Sequence, residues 1–261
     1  LATNCSNITI NVCSIYSSNE AIILNYSQGI LINDTTVLDS IIAVKILYSS
    51  NISIHNTILG HNVYGIYLSN SDNITLENLK IKYCDEGTGI YEPSHNLRIK
   101  NVAIEFCLYG IVIYSEATMN IEGSQIHDNA IAIAIEASNG NISMLVQYCN
   151  LSLNDVGVYM LSGNITAVLL NNHIILNGEG IYVDESSRNQ EVAVFITYNN
   201  ISLNMRHSLL VLYDAEIYAY GNAFIGNESA INAPYLPSGI FQFNYTYYGN
   251  YWGQLNYTDS D

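Results

Sequence analysis

The chain has 261 residues, of which 49% are hydrophobic and only 11% are charged, so it can bury a large core. Its 7 basic and 23 acidic residues give a formal charge of −16, which disfavours binding to nucleic acid or to an anionic membrane surface. No apolar run approaches the roughly 18 residues of a membrane-spanning helix, so the sequence predicts no membrane span.

Short phrases of alternating apolar and polar residues recur along the chain. The phrase NITLENLKI at 73–81 resembles NISIHNTIL at 51–59 and NLRIKNVAI at 96–104. Alternation with a period of two places successive side chains on opposite faces and is typical of β-strands rather than of amphipathic helices. The chain is therefore predicted to be all-β.

The phrases return at intervals of about 22 residues, which indicates a repeat protein. The asparagines that open them are Asn7, Asn51, Asn73, Asn96, Asn120, Asn141 and Asn164. A second phrase, in which a small residue precedes Ile-Tyr or a related pair, recurs at a similar interval. Its small residues are Gly65, Gly89, Gly110, Ala132, Gly157 and Gly180. A leucine-rich repeat has a similar length, but its leucine spacing is missing.

A repeat of this length with short strands and no helix is typical of one coil of a solenoid. We expect a single-stranded right-handed parallel β-helix of about 11 coils that fills one domain over residues 1–261. Corner asparagines and glycines are expected to adopt the left-handed backbone conformation, and each asparagine amide to bond its counterpart in the next coil. The polar stretch DESSRNQE at 184–191 is predicted to be a loop that leaves the rod.

The C-terminal stretch 218–261 is rich in aromatic residues and contains the only tryptophan, Trp252. We predict that it forms the last coils and a cap over the apolar end of the rod, because an open end would aggregate. The residues suited to the cap are Tyr245, Tyr247, Tyr248, Tyr251 and Trp252.

The same stretch resembles the end of the NosD-like parallel β-helix proteins, a family of extracellular and cell-surface proteins abundant in archaea. The matching residues are Asn222, Phe224, Gly226, Asn227, Gly249, Asn250, Tyr251 and Trp252. The resemblance implies a β-helix at an archaeal cell surface. By analogy with the family's namesake, it also raises copper handling as a weaker alternative. The six histidines are scattered rather than clustered, so the sequence predicts no metal site and no cofactor.

The N-glycan acceptor sequence Asn-x-Ser/Thr is frequent, and it predicts an extracellular glycoprotein where the asparagines are accessible. Five of these asparagines belong to the repeating asparagine column of the coils. If their side chains point inward, they stabilise the stack of coils and cannot carry a glycan; they are Asn7, Asn51, Asn73, Asn141 and Asn164. Glycans are favoured at the asparagines outside the column, which are Asn4, Asn25, Asn33, Asn244 and Asn256. The remaining candidates are Asn150, Asn200 and Asn227.

The five cysteines include no Cys-x-x-Cys motif, so neither a zinc knuckle nor a redox motif is predicted. Cys84 and Cys107 occupy the same position in consecutive repeats, where neighbouring strands lie about 4.8 Å apart, within range of a disulfide. Two alternatives stay open for them: a bridge, or two buried thiols. Cys5 and Cys13 are candidates for a bridge within the first coil, which leaves Cys149 free.

A β-helix that acts on polysaccharide needs carboxylates and basic groups from adjacent coils on one outer face. The basic residues of the candidate cleft are Lys80, Lys82, Arg98 and Lys100. The acidic residues and histidine near them are Asp85, Glu86, Glu92, His95 and Glu105. Cross-strand ion pairs on a solvated face would explain the same residues. No nucleophile motif is present, so no catalytic residue is assigned and enzymatic activity is not predicted.

Tyrosine is unusually abundant, with 22 residues. Those that follow the glycine corner are expected to form an external stripe of Tyr67, Tyr91, Tyr114, Tyr159 and Tyr182. Such a stripe could bind sugar or a neighbouring protein, or it could only reflect the preference of tyrosine for strands.

The favoured hypothesis is a structural extracellular glycoprotein that builds a cell-surface layer or a filament. Its asymmetric ends suit head-to-tail self-association, and other surface proteins are further candidate partners. The alternative is a polysaccharide-binding or polysaccharide-modifying protein that uses the face at 80–105 together with the tyrosine stripe.

Overall fold

The chain folds as a parallel β-helix, and the described residues contain no α-helix. A computed structural model describes residues 1–184, 191–212 and 215–226, and beyond them the strands Ile231–Asn232, Phe241–Phe243 and Tyr251–Gln254. The strands pair in parallel with the equivalent strands of neighbouring coils, so even very short strands have ladder partners. The predicted fold class is confirmed.

Three faces run along the rod. The first face contains Ala2–Thr3, Glu20–Asn25, Ile42–Leu47, Tyr64–Ser69, Glu86–Ile90, Tyr109–Ile113, Glu179–Val183, His207–Val211 and Ile231–Asn232. The second face contains Thr9–Asn11, Gln28–Asn33, Ser50–His55, Asp72–Glu77, Ser94–Lys100, Ala117–Glu122, Val192–Thr197, Glu216–Tyr220 and Phe241–Phe243. Two longer strands, Ile131–Gln147 and Val156–Leu170, cross the corner and contribute to both faces. The third face is an 11-stranded sheet in the described part of the chain; it contains Ser14–Tyr16, Thr36–Leu38, Ile58–Gly60, Lys80–Lys82, Ala103–Glu105, Gln125–His127, Asn150–Ser152, His173–Ile175, Asn200–Asn204, Ala223–Gly226 and Tyr251–Gln254.

The interior is a stack of aliphatic side chains. On the second face Ile30, Ile52 and Ile74 pair in register through three consecutive coils, and all three are buried. The same alternation leaves Ser53 and Thr75 partly exposed on the outside. Burying one such side chain contributes about 1.5–3 kcal/mol, so the repeated core can stabilise a rod that has no helices.

The repeating asparagines lie at corners, but their side chains do not enter the stack. Asn7, Asn51 and Asn73 have φ angles of 56°, 54° and 55°, as expected for left-handed residues, and all three are exposed. The expected inward ladder is therefore wrong for these positions, because the left-handed residue occupies the outermost point of the corner. Asn164 and Asn141 do bond each other, Nδ2 to Oδ1 at 3.2 Å, but on the exposed surface.

Other asparagines form the buried ladders. Oδ1 of Asn154 accepts the backbone N–H of Asn129 at 3.0 Å, and Oδ1 of Asn177 accepts that of Asn154 at 3.0 Å. The Nδ2 groups of Asn154 and Asn177 donate to the carbonyls of Ile126 and Leu151. A second ladder contains Asn172, Asn199 and Asn222. These side chains satisfy corner backbone groups that would otherwise be buried without partners.

The glycine column serves close stacking and not a left-handed turn. A Cβ built on Gly65 would lie 2.5 Å from the carbonyl oxygen of Gly87, and one on Gly87 would lie as close to that of Gly110. Gly65 has no positive φ, so the expected left-handed conformation is wrong here. The register also places Gly87, and not Gly89, in this column.

The five cysteines are free thiols in the structure. Cys84 and Cys107 are both buried, and the hydrogen bond between their thiols lowers the pKa of Cys84 and raises that of Cys107. A bridge between them stays a prediction. Cys5 and Cys13, which precede and follow the strand Thr9–Asn11, are likewise free thiols, and a bridge between them stays a prediction.

Several predictions fall on residues outside the described ranges. They concern most of the 184–191 loop and the capping contacts of the aromatic C-terminal stretch, of which Tyr251 and Trp252 are placed only as part of a strand. Within the described ranges there is no helix long and apolar enough to cross a membrane.

Candidate functional site

A half-buried carboxylate lies among tyrosines on the outer side of the first face. Glu86, at the start of a strand, accepts a short hydrogen bond from the Tyr91 hydroxyl and a second one, at 3.1 Å, from the Tyr114 hydroxyl. Tyr91 follows the end of the same strand, whereas Tyr114 belongs to the next coil. We call Glu86, Tyr91 and Tyr114 the Glu86 cluster.

The cluster depends on a missing side chain at Gly89. A Cβ at this position would lie 2.5 Å from Oε2 of Glu86 and 2.7 Å from Cε2 of Tyr91. The Tyr91 ring lies back over the strand and stacks on Tyr67, with centroids 4.1 Å apart and planes inclined by 13°. Since Tyr67 pairs with Gly89 in the register, Tyr91 occupies the place that a side chain at Gly89 would fill.

The predicted tyrosine stripe is present as two groups. In the first, the ring centroids of Tyr67 and Tyr91 are 4.1 Å apart and those of Tyr91 and Tyr114 are 5.2 Å apart. In the second, Tyr159 and Tyr182 are 5.2 Å apart. The column of Tyr67 continues through smaller residues before it reaches Tyr159, and this separates the two groups.

The environment of Glu86 favours its protonated form. Burial raises the pKa of Glu86, the two tyrosine hydrogen bonds offset this only in part, and the nearby Glu136 adds to the increase. Burial likewise raises the pKa of Tyr91 and of Tyr114. Burial and the nearby Glu136 raise the pKa of Tyr109, so a second carboxyl group lies near this surface. A carboxyl group with a raised pKa at an open surface is suited to proton transfer.

Replacing Glu86 by glutamine is expected to change thermal stability in a pH-dependent way. Folding raises the pKa of Glu86 above its ordinary value of 4.5, so the stability associated with the protonated form is lost as the pH rises through the raised pKa. Glutamine stays neutral. The melting temperature of Glu86→Gln relative to the wild type should therefore increase from about pH 4 to about pH 8. Glu122→Gln, on the second face, controls for the lost charge; an equal trend in both variants would contradict the assignment.

A second buried carboxylate lies further along the first face. Glu179 is only 4% exposed and contacts the side chains of Arg206 and His207. Nε of Arg206 lies 3.0 Å from its Oε1, and Nδ1 of His207 lies 3.0 Å from its Oε2. The backbone N–H of His207 also donates to Oε2 at 3.0 Å. These contacts compensate the charge of the buried Glu179 carboxyl group, so its burial has a structural explanation.

The predicted basic cleft does not form. Lys80 and Lys82 lie on the third face, whereas Arg98 and Lys100 lie on the second. Three of them join cross-strand ion pairs, which are Lys80–Glu105 at 3.2 Å, Arg98–Glu122 at 3.6 Å and Lys100–Glu77 at 3.9 Å. Such exposed pairs contribute about 0–1 kcal/mol each, as expected for a solvated face. Among the charged residues predicted to line that cleft, only Glu86 is part of the tyrosine-lined cluster described above.

The structure reorders the glycan candidates by exposure. The exposed asparagines are Asn4, Asn7, Asn51, Asn73, Asn141 and Asn164. The partly buried ones are Asn25, Asn33, Asn150 and Asn200. Asn227, Asn244 and Asn256 lie outside the described residues. Column asparagines are thus more accessible than expected, while their occupancy stays a prediction.

The residue types that can bind a metal ion are dispersed in the described part of the chain. No group of three or more His, Cys, Asp or Glu side chains there is arranged to hold a metal ion. His55 faces Glu77 at 3.3 Å, and His61 stacks on Tyr83 with ring centroids 4.7 Å apart. His127 contacts Asp128 at 2.7 Å.

The molecule is thus a parallel β-helix that carries an aromatic and acidic surface on one face. A family model described as the right-handed beta helix region matches residues 1–145 and 64–224. The chain belongs to this right-handed β-helix family, as its architecture predicted. No curated protein matches it.

Solved structures with the same fold include two carbohydrate-active proteins. The Azotobacter vinelandii mannuronan C-5 epimerase AlgE6 A-module is 15% identical, with a TM-score of 0.61 over 99% of this chain and 80% of that one. The catalytic domain of a GH87 alpha-1,3-glucanase, in complex with nigerose, is 10% identical, with a TM-score of 0.52 over 96% of this chain and 54% of that one. At these identities the likeness shows the fold alone.

Proposed function

We propose that the protein binds an uncharged polysaccharide on its first face and that Glu86 transfers a proton during modification of the chain. The observation that carries this proposal is the Glu86 cluster, in which a carboxyl group with a raised pKa bonds two tyrosine hydroxyls beside stacked rings. The cluster favours polysaccharide modification over a purely structural role. The two carbohydrate-active structures with this fold support it by analogy.

The aromatic lining of the cluster supports sugar binding. Tyr67, Tyr91 and Tyr114 offer flat apolar ring faces together with hydroxyl groups, and all three are only partly buried. Tyr64 packs edge-on against Tyr91, with ring centroids 6.2 Å apart, and extends the surface. A sugar ring has apolar C–H faces and polar edges, so it can pack on such rings and bond their hydroxyls at the same time.

The charge of this surface favours an uncharged chain over a polyuronate. Glu136 lies near Glu86 on this surface, and the molecule as a whole carries a formal charge of −16. The nearby cation Lys45 lies 5.7 Å from the centroid of Tyr67, but it is paired with Glu20 at 2.5 Å. A polyanionic sugar would therefore meet net repulsion.

Hydrolysis of a glycosidic bond is the chemistry that these groups support best. Protonated Glu86 would donate its proton to the glycosidic oxygen as the C–O bond breaks, and water would supply the new hydroxyl group and restore the proton. A second carboxylate, which Glu136 provides on the same surface, is the partner that such reactions require. The hydroxyls of Tyr91 and Tyr114 would hold the Glu86 carboxyl group in place.

The test combines binding and cleavage of soluble α- and β-glucans by protein produced without glycosylation. Glu86→Gln should lower the rate of reducing-end release by about 100-fold or more while binding persists. Tyr91→Ala should weaken binding, because it removes the ring stacked on Tyr67. The matched controls are Glu122→Gln and Tyr48→Ala; Tyr48 is an exposed tyrosine that also stacks, on Tyr26. Equal activity of Glu86→Gln and the wild type would refute the catalytic assignment.

The narrower attributes of the protein stay predictions of the sequence. They are NosD-like membership, an archaeal source, an extracellular location, N-glycans, head-to-tail association and, more weakly, copper handling. A role as a building block of a surface layer or filament belongs with them. Electron microscopy of protein from its native cells tests that role, since dispersed monomers would argue against it.

A further inference from the structure

A groove of about 700 Å³ lies on the second face and shares no residue with the Glu86 cluster. It follows the rod axis and is formed where successive strands leave the corner with the first face. The lining residues in its middle are Thr118, Asn141, Ser143, Asn164 and Thr166. We call it the axial groove.

Two columns of outward side chains give the axial groove its chemistry. The register stacks Thr118, Ser143 and Thr166 in consecutive coils, and they continue into Ala193 and Glu216. The parallel column stacks Asn141 on Asn164, with Glu116 one coil before and Glu191 one coil after. Hydroxyl and amide groups therefore line the middle of the groove, and carboxylates lie toward its ends.

The repeat of these groups matches an extended sugar chain laid along the rod. Neighbouring coils are about 4.8 Å apart, close to the length of one pyranose residue in such a chain. A sugar over each of the three coils with Thr118, Ser143 and Thr166 would thus meet an equivalent hydroxyl group, which both donates and accepts hydrogen bonds. The carboxylates accept hydrogen bonds from sugar hydroxyls and repel uronates, and the described lining residues include no Lys, Arg or His to offset them.

We propose that the axial groove is a second binding site for the same uncharged polysaccharide, separate from the Glu86 cluster. The inference rests on the proposed function and extends it, because it assigns a binding surface that the chemistry at Glu86 does not use. The groove and the cluster meet at one corner of the rod, where Glu116 follows Tyr114 closely along the chain. One long chain could therefore reach both sites.

A single bulky substitution tests the site. Ser143 is exposed in the middle of the groove, so Ser143→Trp should fill it without touching the core. Binding of glucose hexasaccharides of differing linkage, measured by titration calorimetry in the Glu86→Gln background, should weaken by about tenfold or more. Ser53→Trp is the matched control, because Ser53 is an outward residue of the same face outside the groove. Hexagalacturonate should bind neither variant.

The outcomes separate this inference from the proposed function. If Ser143→Trp and Ser53→Trp bind the hexasaccharides equally, the axial groove is not a glycan site, whatever happens at Glu86. If Ser143→Trp weakens binding while Glu86→Gln leaves cleavage unchanged, the groove stands and the catalytic assignment falls. A glycan found on Asn141 or Asn164 of protein from native cells would occupy the groove and overturn the inference.

Discussion

Replacing Asn154 by alanine is expected to lower the free energy of unfolding by about 3–5 kcal/mol, because several buried polar groups lose their partners together. The backbone N–H of Asn129 would lose its acceptor, and the carbonyls of Ile126 and Ser152 would lose the Nδ2 donor. The contact with Oδ1 of Asn177 would also be lost. Urea denaturation followed by circular dichroism measures the change.

Asn164→Ala is the matched control for this prediction. Asn164 also bonds an asparagine of the neighbouring coil, at 3.2 Å, but on the exposed surface, where water can replace the lost partner. Asn164→Ala should therefore lower the free energy of unfolding by only about 1 kcal/mol. If Asn154→Ala were no more destabilising than Asn164→Ala, the buried ladder would not be a main source of stability.

Shortening the core residue Ile54 is expected to destabilise the rod in proportion to the volume removed. Ile54 is fully buried and is stacked between Ile32 and Leu76. Ile54→Val should cost about 0.5–1.5 kcal/mol, whereas Ile54→Ala should cost about 2–5 kcal/mol because a cavity remains between two coils.

The neighbouring residue Ser53 supplies the control for the core series. Ser53→Ala changes an outward side chain of the same strand and should alter stability by less than about 0.5 kcal/mol. Comparing the urea midpoints of these variants with that of the wild type tests the inside–outside assignment directly. Equal effects of Ile54→Ala and Ser53→Ala would mean that the strand register is wrong.

The rod works as a scaffold that brings together side chains far apart in the sequence. Tyr114 contacts Glu86 from the coil that follows that of Glu86. In the same way, Tyr91 contacts Tyr67 from the coil that follows that of Tyr67. The surface is therefore only as precise as the stacking beneath it, which the buried asparagine ladders and the aliphatic core maintain. Variants of Asn154 or Ile54 are thus expected to affect the Glu86 cluster only through the integrity of the stack.

The parts of the candidate site that were missed had a signal in the sequence. The segment EGTGIYE places Glu86, Gly89 and Tyr91 within one repeat, and a glycine at an outward strand position indicates that another side chain covers it. The basic residues predicted to form a cleft, among them Lys82 and Arg98, fall in two consecutive repeats of the sequence. They lie on different faces, since a corner separates their strands.

The sequence by itself determined the fold, because a period of about 22 residues with alternating polarity leaves stacked parallel coils as the economical way to bury its apolar residues. It also indicated which residues are inside, since alternation within a strand is a local property. Only the tertiary structure decided which asparagines form the buried ladders, that Gly87 rather than Gly89 stacks at the corner, and that Tyr91 lies over Gly89 to meet Glu86. These contacts depend on the register between coils of unequal length and on rotations of side chains at the surface, and a repeat period specifies neither.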